Sequence, residues 1–510
     1  MHFRRNPQIE DGLEAVNGRG HSENTSPGAA TTEKARTAGY KTGEYVEIDR
    51  VAEKKLVRKL DLYIVPIVML LYLLSFLDRV NIGNARLYNM EADLGLKGNQ
   101  FQTATSILFV TYVLSEVPSN LVLKKFHPSR WIAIMTTLWG IIATLTGVTQ
   151  TYAQLIVCRL LLGAVEGGLF PSMAVYLTLF YTKRELALRI GYLFVSSALA
   201  GACGGLLGYA IGNMDGVAGQ SGWRWILIIE GLPTFVLGIL TFFLLADSPE
   251  TAFYLNDQEK ALMIVRRDRE AGQTQSAQEF HWKDVHKAYR DWKVLAFCAI
   301  QFGTDTMLYG YSTFLPTIIQ ALGGWSPSQV QALTIPCYCL GAIAYLVAAR
   351  LSDSQQKRGL YCVIFGCISV VGYGLLISDT PPGVHYFACF VVALGLYVVV
   401  GLPLAWLPSN SPRYGKRTMG TGMQLMIGNC SGIMAPFLYK TNEAPRYVRG
   451  HAVTLAMVGF STVLLAFMSF WFSRKNATRR AGGEDSKFEG MSEEELAELG
   501  DESPRYMYTI

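Results

Sequence analysis

Leu73-Leu74-Ser75-Phe76-Leu77-Asp78-Arg79-Val80-Asn81-Ile82-Gly83-Asn84 closes the first long apolar run of the chain, which begins near Leu60. An acid and a base stand side by side where hydrocarbon should be. A charge at the centre of a membrane helix costs roughly 2.5–3.5 kcal/mol on insertion scales. Such a pair persists only where it faces a water-filled cavity or a partner side chain. We expect the helix to run past Asn84, which moves Asp78 and Arg79 towards its middle. Adjacent residues diverge by about 100° around a helix, so one partner cannot serve both.

Half of the 510 residues are hydrophobic and 17% are charged, against about 25% charged in soluble domains. The apolar residues gather in blocks of roughly 20, the length that crosses a hydrocarbon layer of ~30 Å as a helix. Blocks fall at 60–81, 103–123, 131–150, 154–179, 188–211 and 223–246, then at 293–320, 328–350, 360–378, 385–407, 418–439 and 450–472. The expected fold is an all-α membrane protein with 12 transmembrane helices in two six-helix bundles. The bundles span 56–246 and 292–473, joined by a polar linker over 247–291. Residues 1–55 are polar and mixed in charge, without the apolar stretch of a cleaved leader, and read as a disordered tail. The acidic stretch over 474–510 reads as a second tail, in which Ser492 and Glu495 have capping-box spacing for one short helix.

Basic residues set the orientation. Lys124, Lys125 and Arg130, then Lys183 and Arg184, Lys357 and Arg358, and Arg413, Lys416 and Arg417 fall in loops on one side. That side is read as cytoplasmic, with both termini. One loop disagrees: 440–449 carries Lys440, Arg446 and Arg449 on the other side. The sequons at Asn24 and Asn476 are therefore discounted, being cytoplasmic.

A net charge of +5 is too small to imply nucleic acid, and no basic-aromatic patch appears. The nine cysteines fall inside apolar blocks and read as free buried thiols. Cys337-Tyr338-Cys339 has no second His or Cys pair to complete a metal site. No phosphate-cradling glycine loop, zinc ligand set or nucleophile elbow is present, so neither an enzyme nor a cofactor is expected.

The two halves carry a faint repeat. Gly98-Asn99-Gln100-Phe101-Gln102 opens the second block and Pro327-Ser328-Gln329-Val330-Gln331 the eighth. Parallel halves of this kind place a ligand between them, near the midplane. Gly201, Gly204, Gly205, Gly208 and Gly212 in the fifth block read as a close-packing surface. Pro66, Pro118, Pro171, Pro233, Pro316 and Pro436 lie inside spans and can kink them.

Seven ionisable residues fall within spans: Asp78, Arg79, Glu116, Arg159, Glu166, Glu230 and Asp305. Glu116 and Glu230 read as structural partners between helices. Glu166 lies mid-block beside Gly163, Gly167 and Gly168. It shares a helix face with Arg159, but seven residues separate them by ~10 Å, too far to pair. Intramembrane carboxylates of this kind act as proton carriers, with a structural ion pair as the other reading. Arg79 offers a planar fork that matches a carboxylate with two hydrogen bonds and keeps its charge.

The chain resembles the major facilitator superfamily, and within it the fungal anion:cation symporters of allantoate, nicotinate, pantothenate and biotin. The resemblance rests on Leu77-Asp78-Arg79-Val80-Asn81-Ile82-Gly83-Asn84-Ala85, Glu116-Val117-Pro118-Ser119-Asn120 and Glu166-Gly167-Gly168-Leu169-Phe170-Pro171. Gly222-Trp223-Arg224-Trp225, Gly428-Asn429-Cys430-Ser431-Gly432 and the inner-loop stretch from Ala349 to Gly359 add to it. It covers roughly residues 55–475. Two departures matter. The fifth block lacks the Gly-Pro signature of drug antiporters, and Ser248-Pro249-Glu250-Thr251 only faintly echoes sugar porters.

What the resemblance implies is a monomeric, proton-coupled transporter of a small organic anion that works by alternating access at the plasma membrane. Arg79 would bind the substrate carboxylate, and Tyr112 and Asn429 would complete the polar lining. Asp78 and Glu166 would take the coupled protons, with Arg159 tuning Glu166. Export of an acidic secondary metabolite keeps the same fold with the direction reversed. A non-transporting nutrient sensor is the reading from another class, disfavoured by the shortness of both tails.

Overall fold

A computed structural model describes residues 49–510 except 124–125, 213, 272–281, 441–442, 485–487, 489, 493–494 and 497–498. The tail expected over 1–48, with the sequon at Asn24, lies outside the described residues, as do Lys124 and Lys125. The described chain is helical throughout, without a strand. Its long passages are α1 (Arg50–Arg86), α2 (Gln100–Leu123), α3 (Pro128–Thr146), α4 (Tyr152–Phe180), α5 (Lys183–Gly212) and α6 (Gly222–Leu244). The series resumes with α7 (Trp292–Ala321), α8 (Pro327–Gln355), α9 (Arg358–Ile377), α10 (Pro382–Ser409), α11 (Tyr414–Met434) and α12 (Val448–Arg480).

Eight candidate spans, on α1, α4, α5, α6, α8, α9, α10 and α12, are long and apolar enough to cross a membrane by length and composition. The molecule is a multi-pass membrane protein. The other four passages have 24, 19, 30 and 21 residues. Three of these bury carboxyl or amide side chains: Gln102 and Glu116 on α2, Gln301 and Asp305 on α7, Gln424 and Asn429 on α11. The helices that look least like spans are those that face the centre.

Small residues decide how closely the helices pack. α3 lies along α6, and a Cβ at Gly140 would collide with the Phe235 backbone. α5 packs on α8 across the two halves. There a Cβ at Gly205 would stand 2.6 Å from Thr334 Oγ1, and one at Gly201 2.5 Å from the Tyr338 ring. Gly201, Gly205 and Gly208 thus lie on the seam between the halves, while Gly204 packs on α1. α2 meets α11, and α1 meets α7, on the same seam.

The faint repeat has a physical basis. Gln100 Oε1 accepts from Lys97 N–H at 2.7 Å, and Gln329 Oε1 accepts from Ser326 N–H at 3.0 Å. Each half thus turns a glutamine back onto the backbone three residues earlier, and in the second half this completes a capping box with Ser326. Gln102 and Gln331, two residues further on, are both buried.

Four expectations need correcting. α1 starts at Arg50, where Asp49 Oδ1 accepts from Val51 N–H at 2.8 Å, so the helix reaches into the supposed tail over 1–55. The linker over 247–291 holds two helices, Asp257–Ala271 and Trp282–Arg290. The thiols are free but not uniformly buried, since Cys339 and Cys367 are exposed. The supposed C-terminal tail is the largest change. α12 continues to Arg480, and residues 499–510 fold back on the ends of α7, α10, α11 and α12.

That C-terminal strap is held by paired amides and buried charge. Asn476 Nδ2 donates to the Tyr508 carbonyl and its Oδ1 accepts from Tyr508 N–H, both at 2.8 Å. Asn410 pairs with Thr509 in the same way, at 3.0 and 2.8 Å. Each side-chain amide supplies one donor and one acceptor, as a strand edge would. Asp501 accepts from Lys293 Nζ at 2.6 Å and Lys416 Nζ at 2.7 Å. Polar composition hid this order, because the matching groups sit on other helices. The Asn476 amide of the second sequon is consumed in the contact. The Ser492 and Glu495 capping box forms as expected.

Candidate functional site

Asp78 and Arg79 turn to different partners, as their adjacency requires. Arg79 points to the seam between the halves and lines a cavity there together with Tyr112, Glu116, Asp305, Tyr309 and Asn429. Asp78 points away from it, into the first half, where Trp139 Nε1 on α3 donates to its Oδ2 at 3.4 Å. Asp78 does not line the cavity.

The helix of α4 breaks at Gly167 and Gly168, between Tyr152–Glu166 and Leu169–Phe180. A Cβ at Gly167 would collide with the Tyr112 carbonyl and one at Gly163 with the Leu108 carbonyl, so α4 packs tightly on α2 up to this break. The kink delivers Glu166 to Arg79. Arg79 Nε donates to Glu166 Oε1 at 2.7 Å. The Ser75 hydroxyl donates to the same oxygen. The pair is buried, with side-chain exposures of 9% for Arg79 and 0% for Glu166. Glu166 takes Nε, so the two Nη donors form the edge that can turn to an incoming carboxylate. The Tyr112 ring lies under the guanidinium at 4.5 Å, a favourable cation–π arrangement.

Arg159 is buried behind this pair and does not line the cavity. Its Nε and Nη2 are buried without a hydrogen-bond partner among the described residues, as is Glu166 Oε2. Its field reaches both Asp78 and Glu166. The expected separation of Arg159 from Glu166 therefore holds for hydrogen bonding but not for electrostatics.

The second half presents a different wall. Gln301 and Asp305 are one turn apart on α7, and Gln301 Nε2 donates to Asp305 Oδ1 at 2.8 Å. Gln424 on α11 donates to Gln301 Oε1 at 3.1 Å. Tyr309 donates to Asn429 Oδ1 at 2.6 Å. Gly428 makes room for Asp305, since a Cβ there would collide with Oδ2.

The structure thus brings Arg79, Tyr112 and Asn429 to the cavity, and it leaves Glu166, bonded to Arg79, off the lining together with Asp78 and Arg159. Sequence reasoning assigned no role to Gln301, Asp305 or Tyr309, although the four-residue spacing of Gln301, Asp305 and Tyr309 marks one face of α7. Glu116, read as structural, also lines the cavity.

The cavity holds ≈ 40 Å³, room for about three waters. On the side away from the chain termini the seam is shut. Gln331 Nε2 donates to Asn84 Oδ1 at 3.1 Å, Ser106 donates to the Ile433 carbonyl at 2.7 Å, and Phe109 meets Tyr309 edge-on at 4.5 Å.

Comparison with known proteins gives the fold a family. The family model described as Major Facilitator Superfamily matches residues 68–436. An uncharacterised transporter of Schizosaccharomyces pombe is 39% identical over 94% of this chain and 94% of its own length. A high-affinity nicotinic acid transporter of Saccharomyces cerevisiae is 32% identical over 84% of this chain and 80% of its own. Among solved structures, a bacterial homologue of the human lysosomal transporter Spinster, crystallised inward-facing and unoccupied, matches with a TM-score of 0.62. It is 15% identical over 80% of this chain and 96% of its own, a likeness of fold. The chain belongs to the Major Facilitator Superfamily, among fungal transporters of that family.

Proposed function

We propose that this protein is a proton-coupled secondary transporter that takes up a small organic anion by alternating access between an N-terminal bundle over 56–246 and a C-terminal bundle over 292–473. The observation that carries the reading is the Arg79–Glu166 pair, with Arg79 on the cavity wall and Glu166 buried off it. A buried cation held by one carboxylate is a switch: when the carboxylate takes a proton, the guanidinium seeks another anion. Five in-span carboxyls (Asp78, Glu116, Glu166, Glu230, Asp305) face two guanidinium groups, so protons belong to the site as much as charges do.

In the cycle, Glu166 accepts a proton and releases Arg79 Nε, and the guanidinium binds the incoming carboxylate with two hydrogen bonds. Tyr112 and Asn429 flank it from α2 and α11. Asp78 serves as a second proton site, and Arg159 biases both acids. The halves rock about the α5–α8 seam, and the proton leaves with the anion on the other side. The face where α1 begins and α12 ends is taken as cytoplasmic, the membrane as the plasma membrane, and the working unit as a monomer. The yeast nicotinic acid transporter supports a carboxylate substrate without naming this one.

The test is uptake of radiolabelled nicotinate, allantoate, pantothenate and biotin into vesicles with an imposed pH gradient. Accumulation that follows the gradient and is lost in Arg79→Ala supports the proposal. Transport by Arg79→Ala equal to that of the unmodified protein overturns it.

A further inference from the structure

A second, larger cleft lies far along the chain from the transport site. It holds ≈ 680 Å³ and is bordered by the helix Trp282–Arg290, the start of α7 and the start of α11. Its rim is cationic: Lys283, Lys287, Arg290, Lys293 and Lys416 are set against Asp291 and Glu502.

The cations divide into two groups. Lys293 and Lys416 form the floor, held by Asp501 of the strap and by Asp291. Lys283, Lys287 and Arg290 stand exposed on the short helix, without an ion-pair partner among the described residues. Asp284, the acid of that helix, is turned inward to Arg413 at 2.8 Å. Among the described residues, no acid forms an ion pair with this outer row of cations.

The cleft also opens on an apolar surface. Trp292 lines it and packs on Trp471 at 5.0 Å and Phe467 at 6.1 Å, both on α12. From there Phe460, Val463, Phe467 and Phe470 recur at three- and four-residue spacing, 48–71% exposed. That spacing makes a continuous stripe along one helix face. Tryptophans at the join of a charged rim and an apolar stripe mark the headgroup level of a bilayer.

We propose that this cleft binds an anionic glycerophospholipid, with its phosphoryl headgroup against Lys283, Lys287 and Arg290 and its acyl chains along the exposed stripe of α12. Both poles of the ligand are matched, which a soluble phosphate or an acidic peptide would not require. Basic clusters beside the ends of membrane helices attract anionic headgroups. Glu502 of the strap lines the same cleft, so the strap forms one of its walls.

The experiment uses the full chain in nanodiscs of phosphatidylcholine doped with phosphatidylinositol 4-phosphate, with retained lipid read by native mass spectrometry. The unmodified protein should retain the anionic lipid over phosphatidylcholine. The double variant Lys287→Gln/Arg290→Gln should bind it roughly 25-fold more weakly, about fivefold per charge removed. Raised salt should weaken retention as well. Lys357→Gln, an exposed base elsewhere on the chain, should leave it unchanged. Equal retention by the double variant, equal retention of phosphatidylcholine, or equally tight capture of soluble inositol phosphate or an acidic peptide would each overturn the assignment. The measurement needs neither a transport substrate nor a fixed orientation, so it stands or falls apart from the transport proposal.

Discussion

On the N-terminal side of the cavity, Arg79, Glu166, Asp78 and Arg159 are fully ionisable groups that leave buried polar atoms unmatched: Arg159 Nε and Nη2, and Glu166 Oε2. On the C-terminal side, Asp305 is the only ionisable acid or base among the lining residues, and its Oδ1 already accepts from Gln301. Tyr309 and Asn429 satisfy one another beside it. The C-terminal half keeps its dense ionic network at the far ends of α7, α11 and α12, around Asp501, Lys293 and Lys416. An ionic cluster with unmatched atoms has charge states to move between, whereas a wall of neutral amides has none, although Gln424 Oε1 is itself without a partner among the described residues. In the cycle we propose, the changing charge belongs to the first half and the frame to the second.

The hardest way to break that comparison is to remove the cation. Arg79→Ala deletes the proposed anion receptor and removes the guanidinium from Glu166, which keeps the Ser75 hydroxyl. Truncating one partner of a buried charged pair costs about 2–5 kcal/mol, on the order of 100-fold or more in uptake. Arg79→Lys should not rescue it fully, because an ammonium cannot grip Glu166 and a second carboxylate with one planar fork. Initial rates in proteoliposomes test both variants.

Glu166→Gln is the next largest effect and a sharper one. The amide preserves size and can still accept from Arg79 and Ser75, but it cannot cycle a proton. Downhill exchange of substrate should survive. Accumulation driven by a one-unit pH gradient should fall by about tenfold, the ~1.4 kcal/mol that one proton contributes. Accumulation that still follows the gradient in this variant would move the proton site elsewhere in the cluster, with Asp78 the first place to look.

The C-terminal frame predicts a different signature. Gly428→Ala places a methyl group against Asp305 Oδ2 and pushes that carboxylate off Gln301. Overpacking of this kind costs about 1–3 kcal/mol, on the order of tenfold in apparent affinity. The pH profile of transport should stay where it was, and a shifted profile would make Asp305 part of the proton path.

How much of this the sequence carried follows from what each feature depends on. The helices were legible because each needs only a local block of apolar residues, and the run past Asn84 matches α1, although that helix begins at Arg50, ahead of its apolar block. The ionic residues were legible because a charge in such a block stands out alone. Their pairings were not. Ser75 and Glu166 are 91 residues apart, and Trp139 and Asp78 61 apart, with no periodicity to connect them. The strap was illegible for the same reason in stronger form. Tyr508 and Thr509 have no pattern of their own, and their order comes from Asn476 and Asn410 waiting at the ends of two other helices.

Asp501 gives the smallest effect on transport and the cleanest separation of frame from switch. Burial works against its carboxylate, but Lys416 and Lys293 outweigh burial and hold it below the ordinary aspartate range. A depressed folded value means that the contact stabilises fully above the unfolded-state pKa of ~3.9. The contribution is lost as pH falls through the lower folded value. Asp501→Asn should therefore lower stability by about 1–3 kcal/mol at neutral pH, since Asp291 still answers part of the charge on both lysines. The gap between variant and unmodified protein should close in strong acid. Thermal unfolding in detergent across pH measures that gap, and uptake assays on the same preparations should show an unmoved pH profile. A moved profile would mean that the strap reaches the switch after all, and that the two halves do not divide the work between them.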